Sequence, residues 1–151
     1  MNQGHDPVRQ ANYLRQSLGQ EKRPLGLFLS GGCPMAIKVP AGGAEAPLIP
    51  GIEGITQAVH ERLAVSSTKE PFETVRAHFT ADQRGEPNVE DLLTHVRSLR
   101  RVAGNEAVRG VRAEDLDALD SAMCEIIVEM VNKSLPSNHT PYHKVAAWTG
   151  A

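Results

Sequence analysis

Aromatic residues, cysteine and an excess of either charge are all scarce in this chain, and each shortage narrows what it can be. Phe, Trp and Tyr make up 4% of 151 residues, against a hydrophobic content of 40%. The core must therefore be mainly aliphatic, in a chain long enough for one domain with a buried interior. Cys33 and Cys124 are the two cysteines. Two widely separated thiols make no disulfide scaffold and suit a reducing compartment. The formal net charge is −2. That balance gives no electrostatic reason to expect direct contact with nucleic acid, whose phosphates call for a basic face. No apolar run approaches membrane-spanning length, and the polar start Met1–Asp6 carries no apolar leader. The glycosylation-type triplets at Asn132 and Asn138 then read as chance matches, and the expected location is cytoplasmic.

The densest local pattern is Leu25-Gly-Leu-Phe-Leu-Ser-Gly-Gly-Cys-Pro34, an apolar run breaking into paired glycines. It reads as a buried strand feeding a tight turn, with Met35-Ala-Ile37 continuing as a helix. Nucleotide-binding α/β folds use this arrangement to bring backbone N–H groups up to a phosphate or ribose. Glycine suits it because a Cβ would block the approach and disfavour the backbone angles required.

Elsewhere the pattern is helical. Asp6-Pro7 opens a helix through about Leu18, and Val39 to Pro50, rich in Gly, Pro and Ala, reads as a loop. Ile52, Ile55, Val59 and Leu63 trace one helix face between Gly51 and Ala64, and Phe72, Val75 and Phe79 another after Pro71. Asn88 and Asp91 form a capping box ahead of Val89, Leu92, Leu93, Val96, Leu99 and Val102, with Gly104 as the stop. The longest helix is expected over Glu114 to Leu135, its inner stripe being Leu116, Leu119, Met123, Ile126, Ile127, Met130 and Val131. Thr140-Pro141 caps a last helix through Trp148. One strand among so many helices leaves backbone groups unpaired, so either further strands hide in segments read as helical or, the favoured reading, the chain is part of a larger sheet.

Four blocks carry a family resemblance: Leu27-Phe-Leu-Ser-Gly-Gly-Cys-Pro34, Pro47-Leu-Ile-Pro-Gly-Ile52, Pro87-Asn-Val-Glu-Asp-Leu-Leu-Thr-His-Val-Arg-Ser-Leu99 and Thr140-Pro-Tyr-His-Lys-Val-Ala-Ala-Trp148. In this order and separation the chain resembles the N-terminal half of the sirtuin-like NAD-hydrolase domains of bacterial antiphage defence systems. The resemblance implies an α/β fold with a Rossmann-like core, strongly helix-rich and incomplete in this chain. Within it, 24–39 would be the glycine-turn strand and helix unit, 51–135 a helical insertion and 140–151 the start of the next core helix. It further implies that Ser30, Gly31, Gly32, Cys33 and Pro34 contact NAD, which is the substrate, with no metal. Ser30 stands where the family has its first glycine, and Gly51 where it more often has an acidic residue. The family's catalytic Asn and His fall in a later Thr-x-Asn-x-Asp strand and beyond. No such motif occurs here, so no residue of this sequence is assigned a catalytic role. The partners implied are further copies of the chain and an ATPase or nuclease protein, with no membrane.

The remaining polar residues have plainer readings. Cys33 reads as a small packing residue, and His139 and His143 as surface or capping histidines rather than zinc ligands. His95 reads as a half-buried structural residue, and Arg97, Arg100 and Arg101 as a solvated face that pairs with carboxylates. A non-catalytic helical module that assembles protomers through Leu92–Val102 and Leu116–Val131 is the alternative function.

Overall fold

Helix caps and apolar periodicity account for most of the elements. A computed structural model of the chain describes residues 6–18 and 30–149, with side chains at 6–16 and 30–147. The expected strand Leu25–Leu29 lies outside the described residues. Two compact units are present, Met1–Ser30 and Gly31–Ala151. In the first, α1 (Pro7–Leu18) begins where Asp6 Oδ1 accepts hydrogen bonds from the N–H groups of Val8 and Arg9, at 3.0 and 3.2 Å.

The second unit begins with a short helix, α2 (Gly32–Met35), followed by β1 (Lys38–Ala41) and β2 (Ala44–Pro47). Here the structure differs from the sequence reading twice. The helix expected to follow the glycine turn at Met35–Ile37 instead occupies the turn itself. Pro34 is tolerated in a first turn, where its missing N–H would have no partner, and Val39 is driven extended by the proline after it. The segment read as a loop is a hairpin. Lys38 pairs with Pro47 and Ala41 with Ala44, across a two-residue turn in which Gly42 and Gly43 have φ of 57° and 88°. Two left-handed residues are what a type I′ hairpin turn requires.

Four helices then form the body: α3 (Ile52–Leu63), α4 (Lys69–Ala81), α5 (Val89–Ala103) and α6 (Ala113–Val131). A second hairpin, β3 (Ala107–Val108) with β4 (Val111–Arg112), joins α5 to α6. One continuous core draws Val59 and Leu63 from α3, Phe72, Val75 and Phe79 from α4, Leu92, Val96 and Leu99 from α5, and Leu116, Leu119 and Met123 from α6. Each such side chain contributes about 1.5–3 kcal/mol by leaving water. The expected capping box is present. Asn88 Oδ1 accepts from the N–H of Asp91 at 3.1 Å, and Asp91 Oδ2 from the N–H of Asn88 at 3.2 Å. Val102 is a correction: it is 72% exposed, and Ala103 takes the buried position. At 100° per residue, Ala103 continues the Leu92–Val96–Leu99 line and Val102 falls well off it.

The longest helix stops at Val131 rather than Leu135. Asn132 leaves helical angles at ψ 71°, and residues 132–135 are exposed, so continuing the helix would bury nothing. Pro136 also disfavours a helical Leu135. The last helix, α7 (Pro141–Thr149), starts where Thr140 and Pro141 predict. Helix dominates the described residues, and both sheets among them are antiparallel pairs. None of the described helices is long and apolar enough to cross a membrane.

Candidate nucleotide-binding site

The five residues expected at the nucleotide do not share one environment. Ser30 is exposed and ends the first unit. Gly31 caps α2 at φ −58° and ψ −18°, an ordinary right-handed conformation. Its role is therefore not to supply unusual backbone angles. It supplies space, since no heavy atom lies within 4 Å of where its Cβ would stand. Gly32 is exposed beside it, while Cys33 and Pro34 are half-buried.

Two contacts carry this turn to distant parts of the sequence. Met35, at the end of α2, reaches the start of α3: its Cε and Sδ lie 2.9 and 3.2 Å from the position a Gly51 Cβ would take. A Cβ at position 51 would require the flexible end of Met35 to move aside. Tyr142, in the first turn of α7, lies within electrostatic range of Cys33. Partial burial pushes the Tyr142 phenol above its usual range, and the Cys33 sulfur adds to the effect. The hairpin is tied in by Leu48 N–H, which donates to the Ile37 carbonyl at 2.8 Å, with Ile37 buried.

A cleft of about 360 Å³ opens where α2 meets α3, lined by Met35, Gly51, Ile52, Glu53 and Gly54. Gly51 has no side chain to cap α3, so the first N–H groups of that helix have no side-chain acceptor at the N-cap. Glu53 stands on the same wall as a hydrogen-bond acceptor for hydroxyl groups. A neighbouring cleft of about 430 Å³ shares Ile52 and Glu53 and extends along α3 to His60 and Asn88. A larger cavity, about 540 Å³, lies elsewhere, between the β3–β4 hairpin and α6. Both of its cations are already paired, Arg100 with Asp117 at 2.7 Å and Arg112 with Glu114 at 3.2 Å. It has little left to offer an anionic ligand.

The other polar readings can be placed as well. Arg97 pairs with Asp120 at 2.7 Å, so the basic cluster is a solvated face with carboxylate partners. His143 Nδ1 accepts from the N–H of Thr140 at 3.1 Å and lies 2.8 Å from its hydroxyl, which makes it a helix-capping residue. Among the described residues, no group of three or more His, Cys, Asp or Glu is arranged to hold a metal ion.

Glu53 stands in no motif, and Tyr142, though inside the block Thr140–Trp148, was given no role from sequence; packing brings both toward the turn. A second constellation was missed too: His78 Nδ1 lies 3.1 Å from His95 Nε2, beside an Asp82–Arg109 ion pair. No protein-family model matches the chain, and no curated protein matches it.

Proposed function

We propose that the chain is the NAD-holding, Rossmann-like part of a sirtuin-type NAD glycohydrolase, acting in the cytoplasm within an oligomeric antiphage defence complex that includes an ATPase or nuclease partner. One observation carries the reading. The glycine turn meets the start of α3 through Met35 and Gly51, and Tyr142 at the start of α7 lies within electrostatic range of Cys33. Three blocks far apart in sequence thus converge around the turn, as a composite dinucleotide pocket requires. The uncapped start of α3 suits a pyrophosphate, and the Glu53 carboxylate suits ribose hydroxyls. Open space at Gly31 admits a ligand to the backbone.

Cleavage of the nicotinamide–ribose bond develops positive charge on the ribose and needs an oriented water. This chain's contribution would be to bind and orient the dinucleotide. The water-positioning and base roles are assigned to no residue here.

Isothermal titration calorimetry of the chain with NAD tests the binding half. Gly31→Val, which meets nothing in the fold, is expected to weaken NAD binding at least about tenfold with an unchanged melting temperature. Nicotinamide release by the chain with its native continuation and partner tests the chemistry. Absence of both binding and release would sink the proposal.

A helical assembly module is the second reading, favoured by the exposure of Val128, Val131 and Leu135 along the end of α6 and the segment after it, at 56%, 39% and 44%. Light scattering separates the two readings. An oligomer that Val128→Glu dissociates, in a chain that ignores NAD, supports the module.

A further inference from the structure

His78 is one of the few buried polar side chains of the body, 7% exposed, and the proposed nucleotide pocket does not use it. It sits on α4 between two partners. Its Nε2 lies 2.9 Å from the Arg109 carbonyl, and its Nδ1 lies 3.1 Å from His95 Nε2 on α5. A carbonyl can only accept, so Nε2 of His78 carries a proton. In the neutral ring Nδ1 is then the acceptor, and His95 must donate through its own Nε2. The hydrogen bonds therefore run in one direction, from α5 through α4 to the turn of the β3–β4 hairpin. That turn is held a second time, where the Arg109 guanidinium makes a bidentate pair with Asp82 at 2.7 and 2.8 Å. Arg109 itself has φ 49°, a conformation that side chains rarely adopt unless something anchors them.

We propose that the His78–His95 pair is a proton-sensitive latch that holds the β3–β4 hairpin against α4 and α5. The surroundings supply the physics. The charged groups facing His95 are His78 on α4, Asp82 and Arg84 in the segment after α4, and Arg109 on the hairpin. The Phe79 ring meets it edge-on at 5.0 Å and covers part of the half-buried imidazole. A proton on His95 places an imidazolium among two guanidinium groups, with the carboxylate of Asp82 already engaged by Arg109.

Burial, then His78, Arg109 and Arg84, hold the His95 pKa below its usual 6.5, with Asp82 in partial opposition. The folded state thus favours the neutral ring. The stabilisation is fully present above about pH 6.5 and is lost as pH falls through the lowered folded value. The hairpin also supplies a wall of the 540 Å³ cavity, through Ala107 and Arg112, so its release would open that space.

Hydrogen-exchange protection measured on the whole chain at pH 7.5 and 5.5 tests the latch. Protection at Val108–Val111 is expected to fall about tenfold or more between the two, while amides at Val59 and Leu119 hold theirs. His95→Gln keeps a donor toward His78 but cannot titrate, and should abolish the drop. Equal protection at both pH values, or a drop that persists in His95→Gln, overturns the proposal. Should the variant not fold, ¹⁵N imidazole spectra of the wild type decide instead. The latch requires both rings neutral and Nε2-protonated at pH 7.5, and any other tautomer for His78 refutes it.

Discussion

The helical body and the glycine-turn region are held together by different means. Helices α3 to α6 share one core in which Leu63, Leu92, Leu116, Leu119 and Met123 are fully buried. Between Gly31 and Pro50, Ile37 is the buried apolar residue, and α2 buries none at all. The turn region therefore takes its position from contacts with the body, such as Met35 on Gly51, and from a two-residue hairpin turn. A framework of high local stability beside a lightly held segment is the arrangement expected where a ligand is to be admitted. The difference teaches that the stretch most suggestive of function contributes least to the fold.

Mutations can break or sharpen this contrast. The largest effect is expected at Leu119→Ala, which removes a fully buried side chain and should cost about 2–5 kcal/mol in urea unfolding. Met35→Ala, at a residue 41% exposed, should cost less than about 1 kcal/mol. Equal losses at the two sites would erase the distinction.

Next in size is a pair of glycines at the junction. A Cβ on Gly54 would stand 2.8 Å from Cβ of Pro50, a rigid ring, so Gly54→Ala should cost about 1–3 kcal/mol. A Cβ on Gly51 meets the free end of Met35, which can swing aside, so Gly51→Ala should cost about 1 kcal/mol or less. Thermal melts of the two variants side by side check the order.

Caps come third. Asn88→Ala breaks the capping box of α5 inside the body and should lower global stability by about 1 kcal/mol. Thr140→Val removes the hydroxyl 2.8 Å from His143 Nδ1 at the start of α7. It should reduce protection locally in α7 and leave the global midpoint in place. The smallest effect is expected at Arg62→Ala, whose ion pair with Glu129 lies on the surface and should leave the melting temperature unmoved.

Sequence alone exposed the body well and the site poorly. Asn88 with Asp91, Thr140 with Pro141, and the Leu92–Val96–Leu99 row were all readable, because caps and apolar stripes are local consequences of helix geometry. The first hairpin was hidden because its strands are mostly exposed and carry Pro40 and Pro47, so no alternating apolar pattern marks them. Gly42-Gly43 was the available clue, a two-residue turn sequence flanked by matching lengths of chain. The second hairpin has two residues per strand, too few for any period to appear.

What the sequence determined by itself is therefore the set of helices in the body and most of the face each buries, although α4 begins at Lys69 rather than Pro71, and Ile52 and Val131 are exposed where an apolar face was expected. Those features depend on neighbours within a few residues, and the chain carries them wherever it goes. Only the tertiary structure decided that Met35 lies on Gly51, that Tyr142 comes within electrostatic range of Cys33, and that His78 bonds to His95 and to the Arg109 carbonyl. The last of these joins residues 31 apart along the chain. Burial of the aliphatic core draws such residues together, and once they are there the low dielectric around them gives a single hydrogen bond or proton its weight.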